Sequence, residues 1–224
     1  IFSCGSHPET KPRNLIDVKN ISGNILDLSL KRITTRRLRA LLSQIKDCAN
    51  IRTLDLSYNP LDGTCIPTLS DFLKENPQIY TTNLTNCRFG RGDIFNLLDQ
   101  LDDESPRLLK LSVGSLTKEL FQIMDLLGSR TNLYLYLKFY NVSNRQRRIL
   151  ADALRTNANI VGLEMCCYGF KYHNYVRYSP IFEAMTHNTA LKCLIIPGKM
   201  LREGGNVLVE AMKTNKSILC LVTI

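Results

Sequence analysis

The stretch that most constrains this chain is Ile51 to Leu61, IRTLDLSYNPL, where Ile51, Leu54, Leu56 and Leu61 are apolar and a lone Asn59 sits among them. Leu54 and Leu56 are two residues apart, the spacing of a strand that buries one face. One such unit cannot cover its apolar side alone, so the pattern has structural meaning only if neighbours copy it. They do. Equivalents of Leu54 are placed at Leu26, Thr82, Leu111, Leu135, Leu163, Leu194 and Leu221, with spacings of 28, 28, 29, 24, 28, 31 and 27 residues. Two residues further on stand Leu28, Leu56, Leu84, Val113, Leu137, Met165, Ile196 and Thr223, almost all apolar. At the Asn59 position only Cys87 also conforms, while Lys31, Leu116, Tyr140, Tyr168 and Lys199 depart. The later turns are therefore expected to satisfy their backbone groups by other means.

Between these strands run segments with helical start and stop signals. Ser143 with Gln146 forms a capping box opening a helix from Asn144 to Arg155, and Ser179-Pro180 places an N-cap beside a proline at the first helical position. Each helix runs into an Asn-bearing stop, at KENPQ (74–78), RTNAN (155–159), THNTA (186–190) and TNKSI (214–218), and the next strand follows. Repeats of about 28 residues with a full helix resemble the ribonuclease-inhibitor-like subfamily of leucine-rich repeat proteins. The resemblance covers residues 24–224 and implies an α/β leucine-rich repeat solenoid, a horseshoe with parallel strands on the concave face and helices on the convex face. It divides the chain into an N-terminal arm or cap (1–23) and a domain of about seven full repeats plus a final strand. The subfamily includes nuclease inhibitors, GTPase activators, innate immune receptors and secreted bacterial effectors, so it implies a fold more than a function.

No apolar run approaches the roughly 20 residues needed to span a bilayer, and no charged-then-apolar leader opens the chain. The missing initiator Met and the stop inside the eighth repeat strand lead to the expectation of a fragment of a longer chain. The eight cysteines show no C-x-x-C pair and no terminal clustering, which favours a reducing, cytoplasmic setting, the host cytosol if the protein is a delivered effector. Cys193 and Cys220 occupy one position on adjacent strands, about 4.8 Å apart by strand spacing, which permits a disulfide; the reading adopted is separate reduced thiols. N-glycosylation sequons at Asn20, Asn83, Asn141 and Asn215 point the other way, although Asn83 lies within an expected strand.

The net charge of +9 is unevenly spread. Residues 1–50 carry nine Lys/Arg against four Asp/Glu, residues 51–106 four against nine, and residues 107–224 sixteen against seven. The basic clusters Lys31, Arg32, Arg36, Arg37 and Arg39, then Arg145, Arg147 and Arg148, sit before or at helix starts, where a solvated helix face competes with an anion-binding surface. A charge of this sign argues against a ribonuclease inhibitor, whose partner is itself basic.

Columns of outward-facing strand residues offer a binding surface. Aligned by the spacings above they read Ile25, Asp27, Ser29; Thr53, Asp55, Ser57; Thr81, Asn83, Thr85; Lys110, Ser112, Gly114; Tyr134, Tyr136, Lys138; Gly162, Glu164, Cys166; Cys193, Ile195, Pro197; Cys220, Val222, Ile224. The face changes from small and polar to aromatic and apolar. Seven of the nine tyrosines fall between Tyr134 and Tyr178, and Tyr and Arg are the residue types that dominate interface energetics. The candidate partner-binding residues are Tyr134, Tyr136, Lys138 and Glu164 on the strands and Tyr168, Tyr172, Tyr175 and Arg177 in the long loop. Tyr140, Phe170 and Tyr172 have the alternative reading of filling space between strand and helix.

Catalytic signals are sparse. His7, His173 and His187 lack metal-site partners, and no phosphate-binding or nucleophile-elbow motif is present. The expectation is a non-enzymatic module with no metal or cofactor that binds a protein in preference to nucleic acid, as a cytosolic receptor or regulator or a host-directed bacterial effector. Two alternatives stand beside it: a regulator resembling the leucine-rich repeat activators of the Ran GTPase, and a salt-sensitive binder of nucleic acid or acidic surfaces.

Overall fold

The computed structural model describes residues 21–90, 92–101, 105–113, 117–140, 143–166 and 178–224. Strands and helices alternate: β1 (Ile21–Ser22), β2 (Ile25–Asp27), α1 (Thr35–Ile45), β3 (Thr53–Asp55), a 3-10 turn (Gly63–Cys65) running into α2 (Ile66–Glu75), and β4 (Thr81–Leu84). Then follow α3 (Asp93–Gln100), β5 (Arg107–Val113), α4 (Thr117–Gly128), β6 (Leu133–Tyr140), α5 (Asn144–Thr156) and β7 (Ile160–Cys166). The last elements are α6 (Ser179–Met185), β8 (Cys193–Ile196), α7 (Gly198–Thr214) and β9 (Cys220–Thr223). All strands join one sheet in chain order. β1 pairs antiparallel with β2 through Gly23, whose φ of +58° favours glycine. From β2 to β9 every pairing is parallel. The fold is therefore α/β and repeat-like, with eight parallel strands, β2 to β9, of one sheet alternating with helices.

Alternation of apolar residues builds the core. Leu26, Leu54, Thr82, Leu109 and Leu135 are in register, and a second row joins Leu84, Leu111, Leu137, Leu163, Leu194 and Leu221. Nearly all are sealed from solvent and pack with helix residues such as Leu38, Leu69, Leu97, Leu150 and Phe182. The sequence alignment of the repeats needs correction here. Leu111 pairs with Leu84, not with Thr82, and Leu163 pairs with Leu137, not with Leu135. Long strands with apolar residues at every second position look the same after a slip of two residues, which keeps each side chain on its own face. In the true register, the aberrant 24-residue spacing vanishes.

The turns after the first strands are closed by one device repeated every 28 residues. Asp27 accepts from the N–H and hydroxyl of Ser29, Asp55 from those of Ser57, and Asn83 from those of Thr85. The next residue, Leu30, Tyr58 or Asn86, has a left-handed φ of 57–58°. Buried Asn59 donates to the carbonyls of Leu28, Leu56 and Ser57 and accepts from the Ile33 N–H. Cys87 donates to the Leu56 carbonyl, a reduced version of the same role.

The helix stops do more than end helices. Asn157, Asn188 and Asn215 each accept from two N–H groups of the chain entering the next strand. Asn188 donates back to the carbonyls of Leu154 and Asn157, and Asn215 to those of Met185 and Asn188. These side chains bond one repeat to the next along the helix-to-strand edge. Asn83 and Asn215, two of the sequon residues, are thereby engaged in the fold. The Ser143–Gln146 capping box forms as expected, whereas Ser179 is the first helical residue and Tyr178 the cap.

Among the described residues no helix is long and apolar enough to cross a membrane.

Candidate functional site

The outward face of β5 to β8 carries side chains that bond to one another across strands. Their placement depends on the corrected register: Lys110, Tyr136, Gly162 and Cys193 form one row, and Ser112, Lys138, Glu164 and Ile195 the next. The sequence alignment had set Tyr136 beside Glu164 and Lys138 beside Cys166; in the structure Tyr136 faces Gly162, Lys138 faces Glu164, and Tyr140 faces Cys166. A one-residue bulge also interrupts this pairing: Leu135 pairs with Ile160 and Tyr136 with Gly162, which leaves Val161 of β7 as the extra residue.

Gly162 makes room for the tyrosine. A Cβ there would lie 2.0 Å from Tyr136 Cδ2, so the ring lies across the bare backbone of β7. The Tyr136 hydroxyl then reaches on to donate to Glu164 Oε2 at 3.3 Å. Lys110 Nζ stands 5.7 Å from the centre of the same ring. Glu164 is the hub: its Oε1 also accepts from Lys138 Nζ at 2.7 Å and from the Cys166 thiol at 3.4 Å. The Lys138 and Glu164 side chains are only 15% and 16% exposed, so the pair is better shielded than an ordinary surface ion pair. Lys138 Nζ also lies 5.6 Å from the Tyr140 ring centre, and the Tyr140 hydroxyl donates to Asn86 Oδ1 on the far side of β5.

Titration follows from this arrangement. Burial first, then the Glu164 charge, holds the Tyr136 hydroxyl well above the usual tyrosine range. For Lys138, burial favours the neutral amine, but the hydrogen bond and charge of Glu164 outweigh it and hold the ammonium form. The cluster is thus a neutral phenol and a bound ion pair at ordinary pH.

Of the candidate residues, Tyr136, Lys138 and Glu164 come together. Tyr134 lies on the same face but opens on a separate groove of about 530 Å³ at the starts of β3 to β6, with Arg52, Tyr80, Pro106 and Leu108. Tyr168, Tyr172, Tyr175 and Arg177 lie outside the described residues. Tyr140 belongs to the face: it continues the alternation of β6, and Phe139, not Tyr140, fills the space beneath the helices. Lys110 and Gly162 were missed as contributors. The available signal was a glycine inside a strand pattern, which marks a close approach.

The basic clusters resolve differently. Arg36, Arg37 and Arg39 are exposed on α1, and Arg145 and Arg148 on α5. Arg147 is buried, 4.9 Å from the Tyr178 ring centre and bonded to Asn144, so it is packing. Among the described residues no group of three or more His, Cys, Asp or Glu is arranged to hold a metal ion. In comparisons with known proteins, the chain matches no family model and no curated relative.

Proposed function

We propose that this protein is a non-enzymatic recognition module of the leucine-rich repeat type, a curved scaffold whose strand face binds a protein partner through Tyr136, Lys138, Glu164 and Tyr140, with Tyr134 at its margin. The observation that carries this reading is the cross-strand cluster itself. Its long side chains are held on a rigid sheet by Glu164, Gly162 and Asn86, so little ordering is left to occur on binding. Amphipathic aromatic rings in such a setting are the usual anchors of protein interfaces. The repeat-type assignment is supported by the in-register parallel rows and by the Asn59 side chain closing the turn at the position the repeat pattern reserves for it. A cytosolic regulator or receptor and a host-directed effector are the settings this reading fits.

The test compares partner retention from a cytosolic extract by the wild type, by a Tyr134→Ala/Tyr136→Ala variant and by an Asp27→Ala/Ser29→Ala variant, at low and high salt. The tyrosine variant is expected to lose about 1 to 4 kcal/mol of binding energy and the polar variant little. Equal losses would overturn a localised site. Retention of RNA that disappears with salt in every variant would transfer the function to the basic helices.

A further inference from the structure

Cys193 and Cys220 stand directly opposite each other on the neighbouring parallel strands β8 and β9. Residues so paired project to the same side of a sheet, with strands about 4.8 Å apart, inside the range of separations a disulfide bridges. Both are free thiols; Cys193 is half-buried and Cys220 exposed. On the other side of Cys193 the row continues with Gly162, over which the Tyr136 ring lies. Of the remaining described thiols, Cys65 is sealed from solvent, Cys87 is bonded to the Leu56 carbonyl, Cys166 is bonded to Glu164, and half-buried Cys48 packs against the core beyond α1.

We propose that Cys193 and Cys220 form a modification site, at which a hydroperoxide oxidises the two thiols to an intrachain disulfide joining β8 to β9. The exposed Cys220 acts first: its sulfur attacks a peroxide oxygen, the O–O bond breaks, and an alcohol or water leaves with a proton, giving a sulfenic acid. The Cys193 sulfur then attacks the Cys220 sulfur; the S–O bond breaks and water departs with the Cys193 proton. Two thiols lose two electrons and two protons, and the peroxide is reduced by the same two electrons. Burial, and then the neighbouring Cys220 thiol, push the Cys193 thiol up to about 11, which disfavours it as the first to meet the peroxide. The product closes a loop around α7 and fastens β9, whose residues are all exposed, to the sheet.

The experiment treats the reduced chain with hydrogen peroxide, blocks remaining thiols by alkylation, digests without reduction and maps the peptides by mass spectrometry. A cross-linked pair joining Cys193 to Cys220, two hydrogens lighter than the separate peptides, is expected to form about tenfold faster than thiol loss at Cys65 or Cys87. In C193S, a sulfenic-acid trap is expected to label Cys220 strongly, whereas the wild type shows several-fold less label because Cys193 consumes the intermediate. Wild-type Cys220 recovered as a trapped sulfenic or sulfinic acid with Cys193 still alkylatable would overturn the proposal. So would cross-links from Cys220 to other cysteines.

Discussion

The strands β2 to β4 and the strands β5 to β7 belong to one sheet and treat their outward residues in opposite ways. In β2 to β4 the outward Asp27, Asp55 and Asn83 spend their oxygens on their own turns, on Ser29, Ser57 and Thr85. Only Asn83 reaches a neighbouring strand, donating to Asp55. In β5 to β7 the strands run seven or eight residues, and the outward side chains bond across strands: Tyr136 and Lys138 to Glu164, and Tyr140 back to Asn86. A short polar residue that closes its own turn keeps the chain regular and leaves a plain surface. A long side chain braced by a neighbour presents an ordered shape to solvent, and the proposed recognition face rests on this difference.

The sharpest way to break the comparison is through the asparagines, which serve different turns, after β3 within the first region and at the entry to β8, just past the second. Asn59 satisfies the turn leaving a strand, and Asn188 the turn entering one; both are buried. Asn59→Ala takes the side-chain donor from the Leu28 carbonyl, the acceptor from the Ile33 N–H, and one of the donors from each of the Leu56 and Ser57 carbonyls. Asn188→Ala removes partners from two carbonyls and two N–H groups, so each is expected to cost about 3 kcal/mol in denaturant unfolding. The two sites share no partner, so the double variant should be additive within about 0.5 kcal/mol. A coupling well above that would mean the regions are not separable units. A cost for Asn59→Ala below about 1 kcal/mol would remove its assigned role.

Next in size is Gly162→Ala. The new methyl must displace the Tyr136 ring, an overpacking cost of about 2 kcal/mol, and partner binding should fall with it. If the clash is with that ring alone, combining Gly162→Ala with Tyr136→Ala recovers most of the loss, measured as a double-mutant cycle. Simple additivity would show that the ring is not what Gly162 accommodates.

The legible parts of this fold were those that rest on period. Leu54, Leu56 and Asn59 state their strand, their buried face and their turn, and the neighbours at 28-residue intervals repeat the statement. The helices follow from local chemistry, as the Ser143–Gln146 capping box demonstrates. Register is not legible from β4 to β7, because Leu109, Leu111, Leu135 and Leu137 are interchangeable in a pattern of period two and a bulge adds Val161 to β7 with no local residue type to announce it, whereas β7, β8 and β9 pair as their sequences align. The slip between β6 and β7 hides the contact between Lys138 and Glu164, although both are candidate residues from the sequence. Asn188 and Asn215 were visible as helix stops but not as inter-repeat bonds, since their donors reach carbonyls about 30 residues back.

Buried thiols give a smaller, pH-dependent contrast. Burial first, with Cys87 and then Asp62 adding to it, pushes the Cys65 thiol up to about 12. A thiol raised above its unfolded value of about 8.5 contributes stability that is whole below that pH and is lost as pH rises toward 12. Cys65→Ala should be less stable than the wild type at pH 7, and the gap should narrow by about 1.4 kcal/mol per pH unit above pH about 8.5, measured by denaturant unfolding under reducing conditions. A gap that stays constant to pH about 10 would mean that Cys65 is not sealed.

The smallest effect is expected where the surface is plainest. The hydroxyl of Ser29 and then its N–H hold the Asp27 carboxyl below the usual carboxylate range, against the weaker pull of burial. A depressed carboxyl contributes stability above its unfolded value of about 3.9 and loses it as pH falls through the folded value. Asp27→Asn should therefore leave partner binding unchanged and stability at pH 7 within about 0.5 kcal/mol, with any difference from the wild type disappearing in acid. Binding is the decisive readout, because Asp27 shares its row with Tyr136 through Asp55, Asn83 and Lys110. If Asp27→Asn weakens the partner as much as Tyr136→Ala does, the partner spans the whole row, and the polar strands are half of the recognition surface rather than its scaffold.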